Sequence, residues 1–264
     1  TRLGSALLTP YLQDMSQLDR FIAIIKSEFP EDRLTWQKNV PTFHPENGED
    51  AAALITLANK RKQRLFITGY GNNIDPQGKP FVNMISIRTD RLNKLHELNA
   101  PDFYVKVGSG YPLKELGDDL QAENLFLPHS RLPYVGSVGG SIAVNLSAEN
   151  AGHDLPLKRY FIKAEIVTPQ GEIIIPGSAC FKSVSGYDVV KIFAGSWGLL
   201  GLIVSATFRV FPITAEIEYR DIKMKEVDRK GLIDVLDESN SETNALYNRK
   251  VKAKFDPANV LPIV

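Results

Sequence analysis

The chain has 264 residues, 43% hydrophobic and 23% charged, an ordinary globular composition that excludes a disordered or low-complexity polymer. Lys plus Arg and Asp plus Glu each number 31, so no net field draws the chain to nucleic acid or to an anionic membrane. Cys180 is the only cysteine, which excludes an intramolecular disulfide and cysteine-based zinc sites. No apolar run reaches about 18 residues and the amino end lacks a signal-peptide pattern, so a cytoplasmic protein with no integral membrane segment is expected.

Leu18, Phe21, Ile22 and Ile25 recur at helical spacing until Pro30 and predict a first helix. Pro41 and Pro45 mark an extended or turning link, after which residues 49–62 predict a second helix. The basic cluster Lys60-Arg61-Lys62-Gln63-Arg64 closes that helix, where cations suit the negative end of the dipole better than they mark a nucleic-acid patch. Residues 64–68, 81–87 and 103–107 predict short strands, the last ending at Gly108 and Gly110, and 112–121 predicts a helix with proline in its first turn. Residues 159–168 and 172–175 flank a Pro169-Gln170-Gly171 turn as an antiparallel pair, and 202–211 forms a further strand before Pro212. A strand at 216–219 and helices at 225–236 and 241–252 complete the pass. The expected fold is α+β in two lobes, a small N-terminal α/β lobe over about 34–100 and a larger antiparallel lobe over about 101–213. A short helical C-terminal region follows over 214–264.

The chemistry concentrates in Gly136-Ser-Val-Gly139-Gly140-Ser-Ile-Ala-Val-Asn145, small residues running into an apolar segment able to start a helix. A helix start with open N–H groups suits a pyrophosphate. Standard signatures are absent. Gly108-Ser-Gly110 follows a strand but meets Leu113 where a dinucleotide fingerprint needs glycine or alanine, no P-loop occurs, and no histidine pair has zinc spacing. Two companion segments, Gly69-Tyr-Gly-Asn-Asn73 and Gly195-Ser-Trp-Gly-Leu-Leu-Gly201, allow three loops to converge on one extended ligand. Their backbone N–H and Asn side chains meet phosphate charge without Lys or Arg.

In this order the three segments, the third extended to residues 185–203 with its Gly-Tyr-Asp, Gly-Ser-x-Gly and Leu-Gly-x-Ile elements, resemble the PCMH-type FAD-binding domain. This is the domain of the p-cresol methylhydroxylase and vanillyl-alcohol oxidase family. The resemblance covers about residues 34 to 213. The tail at 250–262, with its Asp256-Pro257, is similar to the closing segment of the glycolate oxidase and D-lactate dehydrogenase branch. It implies a two-lobed PCMH-type fold with FAD in the cleft, held by Gly69, Tyr70, Gly71, Asn72, Asn73, Gly136, Ser137, Gly139, Gly140, Asn145, Gly198, Gly201 and Ile203. Three departures stand out. Thr68, Tyr70 and Asn72 occupy places where the family's first loop has arginine, glycine and threonine. No histidine or cysteine stands where some members bond the flavin, which implies noncovalent FAD. Only about forty residues separate Pro212 from the tail, where the family inserts a substrate-capping domain.

His129 and His153 flank the central loop and are the candidate general bases, with polar loop residues as the competing reading. Tyr187 reads as aromatic packing, Asp188 as a helix cap and Trp197 as a packed core residue, with stacking on a bound ring system as the competing reading of Trp197. The resemblance implies an FAD-dependent oxidoreductase taking a hydride from a small 2-hydroxy acid of glycolate or lactate type, its site completed by a partner subunit or a second copy. A non-catalytic FAD-binding accessory subunit is the alternative, and a reductase of enolpyruvyl sugar nucleotides ranks below both.

Overall fold

The computed structural model describes residues 16–72, 81–133, 136–150, 152–178, 188–213, 222–225 and 239–262. Asn73, Cys180, Tyr187, the strand expected at 216–219 and nearly all of the helix expected at 225–236 lie outside them.

Helix α1 (Gln17–Glu28) starts where the Ser16 hydroxyl accepts the Asp19 N–H, and it buries Phe21, Ile22 and Ile25, the apolar positions that predicted it. Strands β1 (Leu34–Gln37) and β2 (Val40–Phe43) form a hairpin over the stretch expected as a proline-marked link. Its two-residue turn, Lys38-Asn39, has φ of 48° and 63°, the double left-handed geometry of a tight hairpin. Lys-Asn is a weak sequence signal for that turn, which is why the hairpin escaped notice. Helix α2 (Gly48–Arg61) is capped by Asn47, which accepts the Asp50 N–H, and Lys60 and Arg61 lie in its last turn.

Strands β3 (Leu65–Thr68) and β4 (Ile85–Arg88) run parallel and join the hairpin in the order β1-β2-β4-β3. The strand expected over 81–87 is confined to its second half, because Asn83 takes φ of 62° and turns the chain first. Alternation then sorts this small sheet. Leu65, Ile85 and Ile87 face the helices, while Val40 and Phe66 on the other face cluster with Phe81 and Met84.

The larger sheet is antiparallel throughout, in the order β11-β10-β12-β6-β5, with β5 (Leu95–Asn99), β6 (Tyr104–Gly108), β10 (Phe161–Val167), β11 (Ile173–Ile174) and β12 (Leu202–Arg209). The Pro169-Gln170-Gly171 turn does join an antiparallel pair, β10 and β11. Helix α3 (Leu113–Ala122), with Pro112 at its N-cap, packs Leu113, Leu116 and Leu120 into the core of this lobe beside Phe161, Phe193 and Phe208. Strand β7 (Leu125–Phe126), helix α4 (Val138–Ala143) and the hairpin β8 (Ser147–Asn150) and β9 (His153–Pro156) close it. Short strands β13 (Phe211–Pro212) and β14 (Lys223–Met224) pair with β7 and β8, and α5 (Thr243–Phe255) leads into the tail.

The two lobes share packing. Val167, Leu202 and Val204 of the large sheet and Val260 and Leu261 of the tail lie in the same apolar cluster as α1 and α2. They also meet through backbone. Gly110 N–H donates to Leu92 O at 2.8 Å, next to the Gly108–Lys94 bond that continues the β5–β6 pairing. A Cβ on Gly110 would sit 1.9 Å from Thr89 O, so the Gly108-Ser-Gly110 segment serves close approach of the lobes.

Leu54 is fully buried on α2 within the shared cluster. Leu54→Ala is expected to lower stability by about 3 kcal/mol, read as a fall in the urea midpoint with an unchanged slope.

Candidate cofactor site

Ser137 takes an extended backbone (φ −83°, ψ 159°) and its Oγ accepts the Gly140 N–H at 3.1 Å, which starts α4. The other N–H groups of this first turn are also taken. Val138 donates to Tyr111 O at 2.8 Å, Gly139 to Ser109 O at 2.7 Å and Ser141 to Ser137 O at 2.9 Å. This corrects the expectation of open donors at the central loop: they bind the loop to the end of β6, and a six-residue helix has little dipole to offer. The other end of α4 is tied as well, for Ile142 O accepts the Gly195 N–H at 2.9 Å and Ala143 O the Trp197 N–H at 3.0 Å. The second and third glycine-rich segments are therefore one hydrogen-bonded unit.

The first loop approaches this unit from β3. A Cβ on Gly69 would lie 2.5 Å from Ser137 Oγ, so a side chain here would have to displace the hydroxyl that caps α4. Tyr70 then donates its hydroxyl to Gly110 O at 2.8 Å, and burial pushes its phenol up to about 12, so it stays a neutral donor. Among the described residues, the Tyr70 and Gly71 N–H groups have no internal partner.

Between the three segments lies a narrow crevice lined by Gly69, Gly139, Gly140, Gly198, Gly201 and Ile203 of the expected contacts, with Thr68, Thr89, Ser109, Ser196 and Trp197 beside them. Across Thr68 it adjoins a cavity of about 210 Å³, which Tyr70, Gly71 and Asn72 help to line. Gly136, Ser137 and Asn145 stand behind this wall. Gly136 O accepts the Leu113 N–H at 3.0 Å, and Asn145, at φ of 48°, uses Oδ1 to accept the Lys158 N–H at 3.0 Å. The reading of single residues missed Ser109, the buried residue between the two rejected glycines, whose Oγ has no partner among the described residues. The Ser109 hydroxyl at the crevice and the Tyr70 and Gly71 N–H groups at the adjoining cavity, without partners among the described residues, are neutral donors of the kind a diphosphate takes, and the paired site fits FAD.

Neither candidate histidine lines the crevice. His129 is fully buried, its Nε2 2.6 Å from Leu155 O and its ring edge-on to Tyr160 at 5.4 Å between centroids. Burial lowers its pKa to about 4, which keeps the ring neutral, and its sealed position removes it from any substrate. His153 is exposed on β9. Trp197, expected in the core, is half-buried with φ of 53° and forms part of the crevice wall, because the turn at 195–198 carries it out of the packing. Asp188 stands at the N-cap of a 3-10 turn over Val189–Phe193, but its side chain makes no capping bond.

Residues 41–175, just over half of the chain, match the family described as FAD binding domain. D-lactate dehydrogenase of Archaeoglobus fulgidus is 28% identical over 209 residues, which cover 75% of this chain and 47% of that protein. Glycolate oxidase subunit GlcD of Bacillus subtilis is 23% identical over 169 residues, 64% of this chain and 36% of that one. The chain thus spans under half the length of these relatives. In three dimensions it superposes on 4-ethylphenol oxidase from Gulosibacter chungangensis with a TM-score of 0.62 at 16% identity, over 76% of this chain and 44% of that one, a likeness of fold. Helix-bound loops, unpaired neutral donors and the sequence match agree, and the chain belongs to the FAD-binding domain family, with FAD as its cofactor.

Proposed function

We propose that this chain is the cofactor-holding part of an FAD-dependent oxidoreductase that oxidises a small 2-hydroxy acid of the lactate, glycolate or hydroxyglutarate class. One observation carries the reading. The relatives that match this domain include dehydrogenases or oxidases named for D-lactate, glycolate and D-2-hydroxyglutarate, three substrates that share an α-hydroxy carboxylate. Bound FAD supplies the two-electron acceptor for the hydride on the α-carbon. The chain's own contribution is position. The Tyr70 and Gly71 N–H groups and the Ser109 hydroxyl hold the diphosphate, while Trp197 and Ile203 wall the crevice against water.

No ionisable side chain lines the crevice among the described residues, while Lys38 and Arg88 line the adjoining cavity. In this reading the group that takes the hydroxyl proton comes from a partner subunit or a second copy. The same feature favours a second reading, an FAD-holding accessory subunit without turnover of its own.

The deciding experiment is an anaerobic absorption spectrum of the FAD-loaded protein before and after D-lactate, glycolate or D-2-hydroxyglutarate. Bleaching of the flavin band by any of them supports the enzyme; a yellow protein that none of them bleaches, alone or with its native partner, rejects it. Gly69→Ala tests the site itself. Its Cβ has to displace Ser137 Oγ, and FAD affinity measured by flavin fluorescence is expected to fall about tenfold or more in a folded protein.

Titration of His129 should appear in stability and not in turnover. Its folded pKa, about 4, lies below the unfolded value near 6.5, so the unfolded chain binds the extra proton between these two values. The stabilising effect of the neutral ring is complete above about pH 6.5, and it is lost as pH falls toward 4. Urea unfolding at pH 7 and pH 5 is expected to show a drop that His129→Gln reduces.

A further inference from the structure

Lys252, near the end of α5, is nearly buried, and its ammonium makes three contacts at once. It donates to Asp256 Oδ2 at 2.5 Å, to Leu261 O at 2.7 Å and to Leu199 O at 2.8 Å. Asp256, itself buried, accepts the Val260 N–H on Oδ1 and the Leu261 N–H on Oδ2, both at 2.9 Å. Each member of the pair is thus hydrogen-bonded beyond its partner, the condition under which a buried ion pair sets a geometry. The contacts run in two directions from the pair. Leu199 stands between Gly198 and Gly201, both in the crevice wall, and Val260 O accepts the Leu65 N–H at 2.8 Å at the start of β3, the strand that delivers Gly69.

We propose that Lys252 is a positioning residue for the cofactor: through Leu199 O and the Asp256 tail it fixes the third glycine-rich segment relative to β3, so that the loops on the two sides of the crevice hold one spacing. The proposal rests on FAD binding in this crevice. It assigns no contact between Lys252 and FAD.

A coupling of this kind is reciprocal, so FAD has to strengthen the strut by the same factor that the strut strengthens FAD binding. In the wild-type chain, hydrogen exchange of the Val260 and Leu261 amides is therefore expected to slow about tenfold on saturation with FAD. Unchanged exchange at those amides, with residues 195–201 protected by the bound cofactor, overturns the proposal. Lys252→Met keeps the length of the side chain and removes its donors. Its dissociation constant for FAD is expected to rise about tenfold in folded protein, together with a changed emission of Trp197 in a Trp36→Phe background. A strut that only stabilises the fold would lower the unfolding temperature of the apo-protein and leave the FAD affinity unchanged, and that result also overturns the proposal. Should Lys252→Met not fold, the exchange measurement on the wild-type chain decides. Failure of the wild-type chain to take up FAD at all would instead count against the cofactor site.

Discussion

The backbone hydrogen bonds at the two ends of α4 hold this molecule's chemistry in place. A helix of six residues has no stability of its own, and here its first N–H groups are bound by Ser109 and Tyr111 while its last carbonyls bind Gly195 and Trp197. The end of β6, the central loop and the turn before β12 are thereby one rigid unit. Gly69 completes it from the other lobe, because without a Cβ its backbone reaches Ser137. The glycines at these joints are better explained by the close approach of three backbones than by contact with phosphate, and the ligand receives the donors that the joints leave over.

That division explains how a neutral chain binds a diphosphate. Arg33, itself buried, joins Asp32, Glu46 and Asp50, and Arg91 joins Asp32 and Glu46, so these cations are matched by carboxylates within the first lobe and none of them lines the crevice. The crevice itself presents the Ser109 hydroxyl and the adjoining cavity the Tyr70–Gly71 backbone, neutral dipoles fixed by the fold that need no counter-ion to be displaced. Tyr70 extends the principle. Its hydroxyl fastens the first loop to Gly110, in place of the backbone flexibility that another glycine would allow, and leaves its N–H for the ligand.

Much of this was legible in the sequence where pattern and packing agree. α1, α2, α3, β6, β10 and β12 follow their apolar periodicity, and the order of the three glycine-rich segments identified the cofactor. The roles of individual residues were less legible, since they depend on what the chain meets across the fold. Nothing local to Ser137 or Asn145 shows that their side chains are spent on Gly140 and Lys158, and nothing local to Trp197 shows that a left-handed turn lifts it to the crevice. β5 and the β8–β9 hairpin were missed for a related reason. Their residues are half-exposed and polar, so pairing with neighbours, and not alternation, makes them strands.

A base beside a flavin has to reach a substrate hydroxyl and hold a proton near neutral pH, and His129 fails on both counts, being sealed against Tyr160 and depressed by burial. What its neutral ring supplies is an anchor: Nε2–H donates to Leu155 O and so pins β9 behind the central loop. The crevice proposed to hold FAD is lined, among the described residues, by glycine backbone, hydroxyls and apolar side chains, and it offers no group of its own to take a proton. Cofactor binding and proton transfer are therefore separable in this fold. The first needs three backbones at fixed spacing, which this chain provides, and the second needs an ionisable side chain brought to the open face of the crevice, which is the role assigned above to a partner.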